Sequence, residues 1–190
     1  MTDIPITVLG VAGSLRRGSL NRILLAAATH HLPPGARLVT WDRLGEVPAF
    51  DADTEDGPVP EPVAALRAAV AAADALLVAT PEYNGSIPGA LKNALDWASR
   101  PHWAAVLSGK PAAVVGAGPG PTGAAGAQAD LVWVLGRAGA AVCGGPLPVP
   151  DAYRAFDEDG ALRDPEQRAA MAALLATLCT ATATTSGAVA

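Results

Sequence analysis

Five times along the chain a short apolar run, rich in β-branched residues or alanine, gives way through a loop to a segment whose apolar residues recur at helical spacing. Parallel strands need a crossover of a dozen or more residues between them, and a helix is the element that fills it. The first run, residues 6–12, ends at Gly13, and Leu20, Ile23, Leu24, Ala27 and Ala28 then fall on one helix face. Residues 37–41 form a short second strand, followed by a proline- and acid-containing loop through Pro60 and a helix over residues 63–73, rich in Ala, Leu and Arg. Residues 75–80 are continuously apolar, as expected of a strand covered on both faces. A helix over residues 88–99 begins with proline in its first turn and carries Ala90, Leu91, Ala94, Leu95 and Ala98 on one stripe. A fourth strand at 111–117, a helix at 124–137, an interrupted last strand at 140–143 and 147–149, and a closing helix at 165–178 complete the order. The expectation is one α/β domain over residues 1–179 with right-handed parallel crossovers. Residues 180–190 carry no charge and no periodicity and are expected to form a disordered tail.

A chain of 190 residues with 51% hydrophobic content can bury a substantial core. Its 13 basic and 18 acidic residues sum to −5, and no segment gathers Lys and Arg into a continuous basic face, which argues against nucleic acid as a partner. Cys143 and Cys179 have no close cysteine neighbour in the sequence and read as small buried apolar residues in a reducing cytosol. Pro, Gly, Asp or Arg interrupts every apolar stretch before the roughly 18 to 20 residues that a membrane helix needs, and the N-terminus lacks a basic leader. The expectation is a soluble cytoplasmic protein. His30 and His31 close the first helix and have no further ligand at metal spacing, so no metal site is expected.

The chemistry-bearing loops lie between strands and helices. Gly13-Ser14-Leu15-Arg16-Arg17-Gly18-Ser19-Leu20-Asn21 leads from the first strand into the first helix. Unpaired N–H groups at a helix start, the hydroxyls of Ser14 and Ser19, the Asn21 amide and the planar cation of Arg16 together suit a phosphate-sized anion. Ser19 acting only as a helix cap is an equal alternative from this loop alone. The lysine of a nucleoside-triphosphate loop is absent. A second loop, Pro81-Glu82-Tyr83-Asn84-Gly85-Ser86-Ile87-Pro88-Gly89-Ala90-Leu91-Lys92-Asn93, follows the third strand.

The two loops together resemble the signature of the NADPH-dependent FMN reductase family, which includes quinone, chromate and azo-dye reductases, and the element order is compatible over residues 4–178. The resemblance implies a flavodoxin-like three-layer sandwich with a five-stranded parallel sheet of order 2-1-3-4-5. It places the FMN phosphate against Ser14, Arg16, Ser19 and Asn21, and the ribityl chain and ring against Pro81, Glu82, Tyr83, Asn84, Gly85 and Ser86. It also implies a glycine-rich third loop beside the flavin, here with Gly116, Gly118 and Gly120, in which prolines stand where the family is richer in serine. The activity implied is a ping-pong hydride transfer from NADPH or NADH through FMN to a quinone, free flavin, azo compound or chromate, with no protein side chain as catalyst. Assembly as a homodimer or homotetramer is implied as well, although Gly85 stands where relatives can carry a tyrosine that meets another subunit.

The literal GxGxxG from Gly118 to Gly123 is rejected as a dinucleotide fingerprint, because it follows the fourth strand, two spacer positions are proline, and no acid stands about 20 residues downstream. Trp97 and Trp133 read as packing residues, His102 as a solvated loop histidine, and Glu82 as a helix-side or intersubunit hydrogen-bond acceptor. Two other functions fit the same loops: an FMN electron carrier without nicotinamide activity, and a flavin-free regulatory protein of the same fold.

Overall fold

The computed structural model describes residues 5–55 and 57–186. The strands are β1 (Ile6–Ala12), β2 (Ala36–Trp41), β3 (Ala75–Ala79), β4 (Pro111–Ala117), β5 (Ala141–Val142) and β6 (Leu147–Val149). The helices are α1 (Leu20–Ala28), α2 (Glu61–Ala72), α3 (Gly89–Ala98), α4 (Ala125–Arg137) and α5 (Pro165–Ser186). The sheet runs β2-β1-β3-β4-β5 and every pairing is parallel, as expected.

The interrupted last strand resolves into two pieces on one edge of β4. Pro111 and Ala112 pair with β5, while Val115 to Ala117 pair with β6. Between them lie Gly144, at φ +70°, and Pro146, which has no N–H to offer a ladder.

Side-chain alternation in the strands divides the core between two faces. Val8, Leu77 and Val115 pack with Leu24, Leu25, Met171 and Leu175 of α1 and α5. Leu9, Val11, Leu76, Val78 and Val114 pack with Leu66, Leu91, Leu95, Leu131 and Leu135 of α2, α3 and α4. The sheet is thus the middle of three layers. Its central strand β3 is buried along its whole length, which is why its sequence is apolar without alternation.

The closing helix differs from the expectation. It continues beyond residue 178 to Ser186, so residues 180–186 are helical rather than a disordered tail; residues 187–190 lie outside the described residues. The hydroxyls of Thr177, Thr180 and Thr182 donate to the carbonyls of Ala173, Ala176 and Cys179. Such back-bonding satisfies the hydroxyls within the helix, and the buried Cys179 anchors the segment to the core. Burial pushes the Cys143 and Cys179 thiols up, which fits inert packing residues. Among the described residues no helix is long and apolar enough to cross a membrane.

Candidate cofactor-binding site

β1 turns to β2 on one side and β3 lies on its other side, so strand order reverses between β1 and β3. In open parallel sheets the crevice at this point, beyond the strands' carboxyl ends, is where ligands bind. A cleft of about 410 Å³ opens here, within the size range of cofactor pockets. All the expected site residues line it except Ser86 and Gly116. Thr122 also lines the cleft, and the sequence reading missed Leu20, Ala117, Pro119 and Ala124, which complete the wall. These four are apolar and bring backbone or contact surface, so no residue-type signal marks them.

The phosphate-side wall is built from the end of β1 and the start of α1. Ser14 and Ser19 are each 3% exposed, an unusual depth for hydroxyls unless they have partners. Ser19 is the N-cap of α1, and its Oγ accepts from the Arg22 N–H at 3.3 Å. Capping and lining the cleft are therefore both properties of this side chain. Ser14 Oγ accepts from the Arg16 N–H at 3.3 Å and lies 3.3 Å from the Tyr83 hydroxyl, joining the first loop to the second. The Arg16 guanidinium is exposed and has no carboxylate partner among the described residues.

Asn21 behaves differently from a ligand donor. Its Nδ2 donates to the Ala117 carbonyl at 3.0 Å and its Oδ1 accepts from the Ala117 N–H at 2.9 Å. The amide thus pairs with the end of β4 as a neighbouring strand would, and it fixes the start of the third loop against α1.

The second loop is a two-residue hairpin. Tyr83 and Ser86 exchange backbone hydrogen bonds at 2.9 and 3.2 Å, with Asn84 at φ 52° and Gly85 at φ 80° between them. Two positive φ values in succession define the type I′ turn, for which Asn-Gly is the preferred pair. Positive φ at Gly85 disfavours any side chain, including a tyrosine that could reach another subunit.

Two side chains of this loop bond to α4. Glu82 Oε2 accepts from the Ala127 N–H at 3.1 Å, and Ser86 Oγ donates to Asp130 Oδ2 at 2.6 Å. The residue before α4 is Ala124, which has no side chain able to cap it. Glu82 supplies the missing acceptor and a negative charge at the positive end of the helix. Gly126 leaves room for this, since a Cβ there would stand 3.0 Å from Glu82 Oε2.

Gly116 makes space rather than contact with the cleft. A Cβ at this position would meet the Gln128 Nε2 at 2.5 Å and the Thr80 carbonyl at 2.8 Å. Gln128, wholly buried, donates to the Gly123 carbonyl at 2.9 Å and so holds the third loop from behind.

Of the remaining candidates, Trp97 is buried and its Nε1 donates to the Pro48 carbonyl at 2.9 Å, a packing role as expected. Trp133 differs: it is 67% exposed on α4 and belongs to no core cluster among the described residues. His102 lies in a short 3-10 turn away from the cleft lining. Asn93 clasps the chain before α2, accepting from the Phe50 N–H at 2.7 Å and donating to the Pro48 carbonyl at 2.8 Å.

A parallel sheet of this order, with a hydroxyl-lined helix start and two glycine-rich loops at its switch point, defines a flavodoxin-like protein built to hold a phosphorylated ring ligand. Residues 6–153 match the model of the NADPH-dependent FMN reductase family, and the chain belongs to that family. It is 43% identical to an NAD(P)H-dependent FMN reductase of Pseudomonas aeruginosa over 86% of this chain and 88% of that one. It is 37% identical to a quinone reductase of Pseudomonas putida, covering 83% and 85% of the two chains. Among solved structures it resembles FerB, a flavoenzyme NAD(P)H:(acceptor) oxidoreductase from Paracoccus denitrificans, with a TM-score of 0.83, 33% identity and coverage of 92% and 98%. FMN is accordingly its cofactor and NAD(P)H its co-substrate.

Proposed function

We propose that this cleft binds FMN with its phosphate at the start of α1 and its ring against the second and third loops, and that the protein passes electrons from NAD(P)H to a quinone or another small acceptor. The observation that carries this reading is the convergence of buried Ser14 and Ser19, the N-terminus of α1 and the uncommitted Arg16 on one cleft at the switch point. FMN, when bound, would supply the redox chemistry that links the nicotinamide to the acceptor. The chain's own residues hold and orient it. Glu82 is occupied at the start of α4, Asn21 at the end of β4, and neither is placed as an acid or base.

The test is the visible absorption spectrum of the purified protein, followed by anaerobic addition of NADPH and then NADH. A flavin spectrum that either donor bleaches supports the reading. A flavin spectrum that neither bleaches points to an electron carrier, and no flavin even after addition of FMN points to a regulatory protein of the same fold.

Arg16→Ala is expected to weaken FMN binding by about 1.5 kcal/mol, the low end for a hydrogen bond to a charged group because the side chain is exposed. Fluorescence titration of the stripped protein with FMN measures it, and an unchanged dissociation constant would remove Arg16 from the phosphate site.

The exposed Trp133 points to assembly. It borders a shallow cleft with Leu95, Asp96, Val134 and Arg137 on the surface shared by α3 and α4. A closed isologous dimer through this face would cover the indole, since a symmetric contact buries the same patch on both copies. Trp133→Glu is expected to shift sedimentation from dimer to monomer. An active wild-type monomer at assay concentration contradicts the dimer.

A further inference from the structure

A second cleft, of about 300 Å³, lies on the other side of the first loop, between α1 and the carboxyl end of β2. Its apolar wall is Ala12, Leu25, Ala26, Trp41 and Leu44; its polar groups are Thr40, Asp42 and Arg22. Strand alternation places Thr40 on the α1 side of the sheet, with Ala36 and Leu38, whereas Trp41 packs into the opposite core. Asp42 and Arg22 are both exposed, and neither pairs with the other or with any other charged side chain among the described residues. The neighbouring Arg43 is not available to Asp42, being held by Glu46 and Glu61.

An apolar slot flanked by an uncommitted carboxylate and an uncommitted guanidinium suits a ligand with a flat apolar part, paired hydroxyl donors and an anionic group. A nucleoside phosphate has all three. Arg22 sits in the first turn of α1, one turn from the cap residue Ser19, so the anionic end of such a ligand would lie toward the flavin cleft.

We propose that this cleft takes the adenosine phosphate half of the nicotinamide donor, with Asp42 accepting from the ribose hydroxyls and Arg22 facing the phosphate, and that Asp42 makes NADH the preferred donor over NADPH. The proposal rests on the reading of the first cleft as the flavin site. Selectivity follows from charge: a carboxylate accepts two hydroxyls of an unmodified ribose but meets the extra phosphate of NADPH as a like charge.

The probe is 5′-AMP, titrated calorimetrically into the FMN-loaded protein. Saturable binding is expected, competitive with NADH in steady-state assays and weakened about tenfold or more by Asp42→Ala. Asp42→Asn, which keeps shape and removes charge, is expected to raise the ratio of kcat/KM for NADPH over NADH by about tenfold. Absence of saturable AMP binding at millimolar concentration, AMP inhibition that is non-competitive with NADH, or a selectivity ratio within about twofold of wild type would each overturn the proposal. Failure of the activity itself is separately visible: a flavin that neither donor bleaches refutes the oxidoreductase reading and the dinucleotide with it, whereas bleaching with an unchanged ratio refutes this proposal and leaves the oxidoreductase reading standing.

Discussion

Gly123→Ala is expected to destabilise the protein by on the order of 3 to 5 kcal/mol and to abolish retention of FMN. Two independent costs coincide at this residue. Its φ of +58° is strained for alanine, at about 1 to 3 kcal/mol. Its Cβ would stand 2.7 Å from the backbone of Val149 and Pro150, where only a shift of β6 or of the third loop can relieve the overlap. The loop has little freedom to shift, because Gly118 N–H donates to the Val149 carbonyl and Gln128 holds the Gly123 carbonyl. Gly120→Ala in the same loop is the comparison: nothing lies within 4 Å of its Cβ, so stability should change by less than about 0.5 kcal/mol. Urea denaturation of both variants measures the contrast. Equal stability of the two would show that the loop adapts and that its contact with β6 is not a constraint.

Removal of FMN is expected to reduce turnover to background, and readdition to restore it, since no side chain lining the cleft is placed to move a hydride. With the cofactor bound, initial rates across both substrates should give parallel double-reciprocal lines. If nicotinamide and acceptor reach the bound cofactor from one side in turn, the transferred electrons are stored between substrates and ping-pong kinetics follow. Glu82 or Tyr83 variants should change cofactor affinity or substrate fit without abolishing turnover. Intersecting lines, together with a detectable complex of both substrates on the enzyme, would show that the face is not shared.

The strand and helix order and the two principal loops were legible in the sequence because they rest on local signals: glycine after an apolar run, clustered hydroxyls, and apolar residues at helical spacing. What each side chain does there was less legible, since it depends on partners distant in the chain. Asn21 is an amide in a phosphate loop, and nothing local reveals that Ala117 occupies it. Glu82 was expected to accept a hydrogen bond, but its donor at Ala127 lies 45 residues on. Gly116 carries the same letter as the loop glycines, yet its reason is the buried Gln128 behind it. The Asn84-Gly85 dipeptide suits the type I′ hairpin it forms, a turn that was not among the expectations. The end of α5 was missed because threonine and serine favour helices weakly, and the hydroxyl back-bonds that let them continue carry no periodic signature.

The cross-ties among the loops bear on how tenaciously the ligand is kept. Tyr83 to Ser14, Asn21 to Ala117, Glu82 to Ala127 and Ser86 to Asp130 are all bonds between the protein's own groups. A receptor already rigid in its bound shape loses little conformational entropy on association, so modest contacts suffice for tight capture. Slow departure is then expected, because escape requires breaking the ligand's own contacts with no help from a loosening wall. Such a cofactor is expected to stay with the protein through many turnovers rather than exchange with each one.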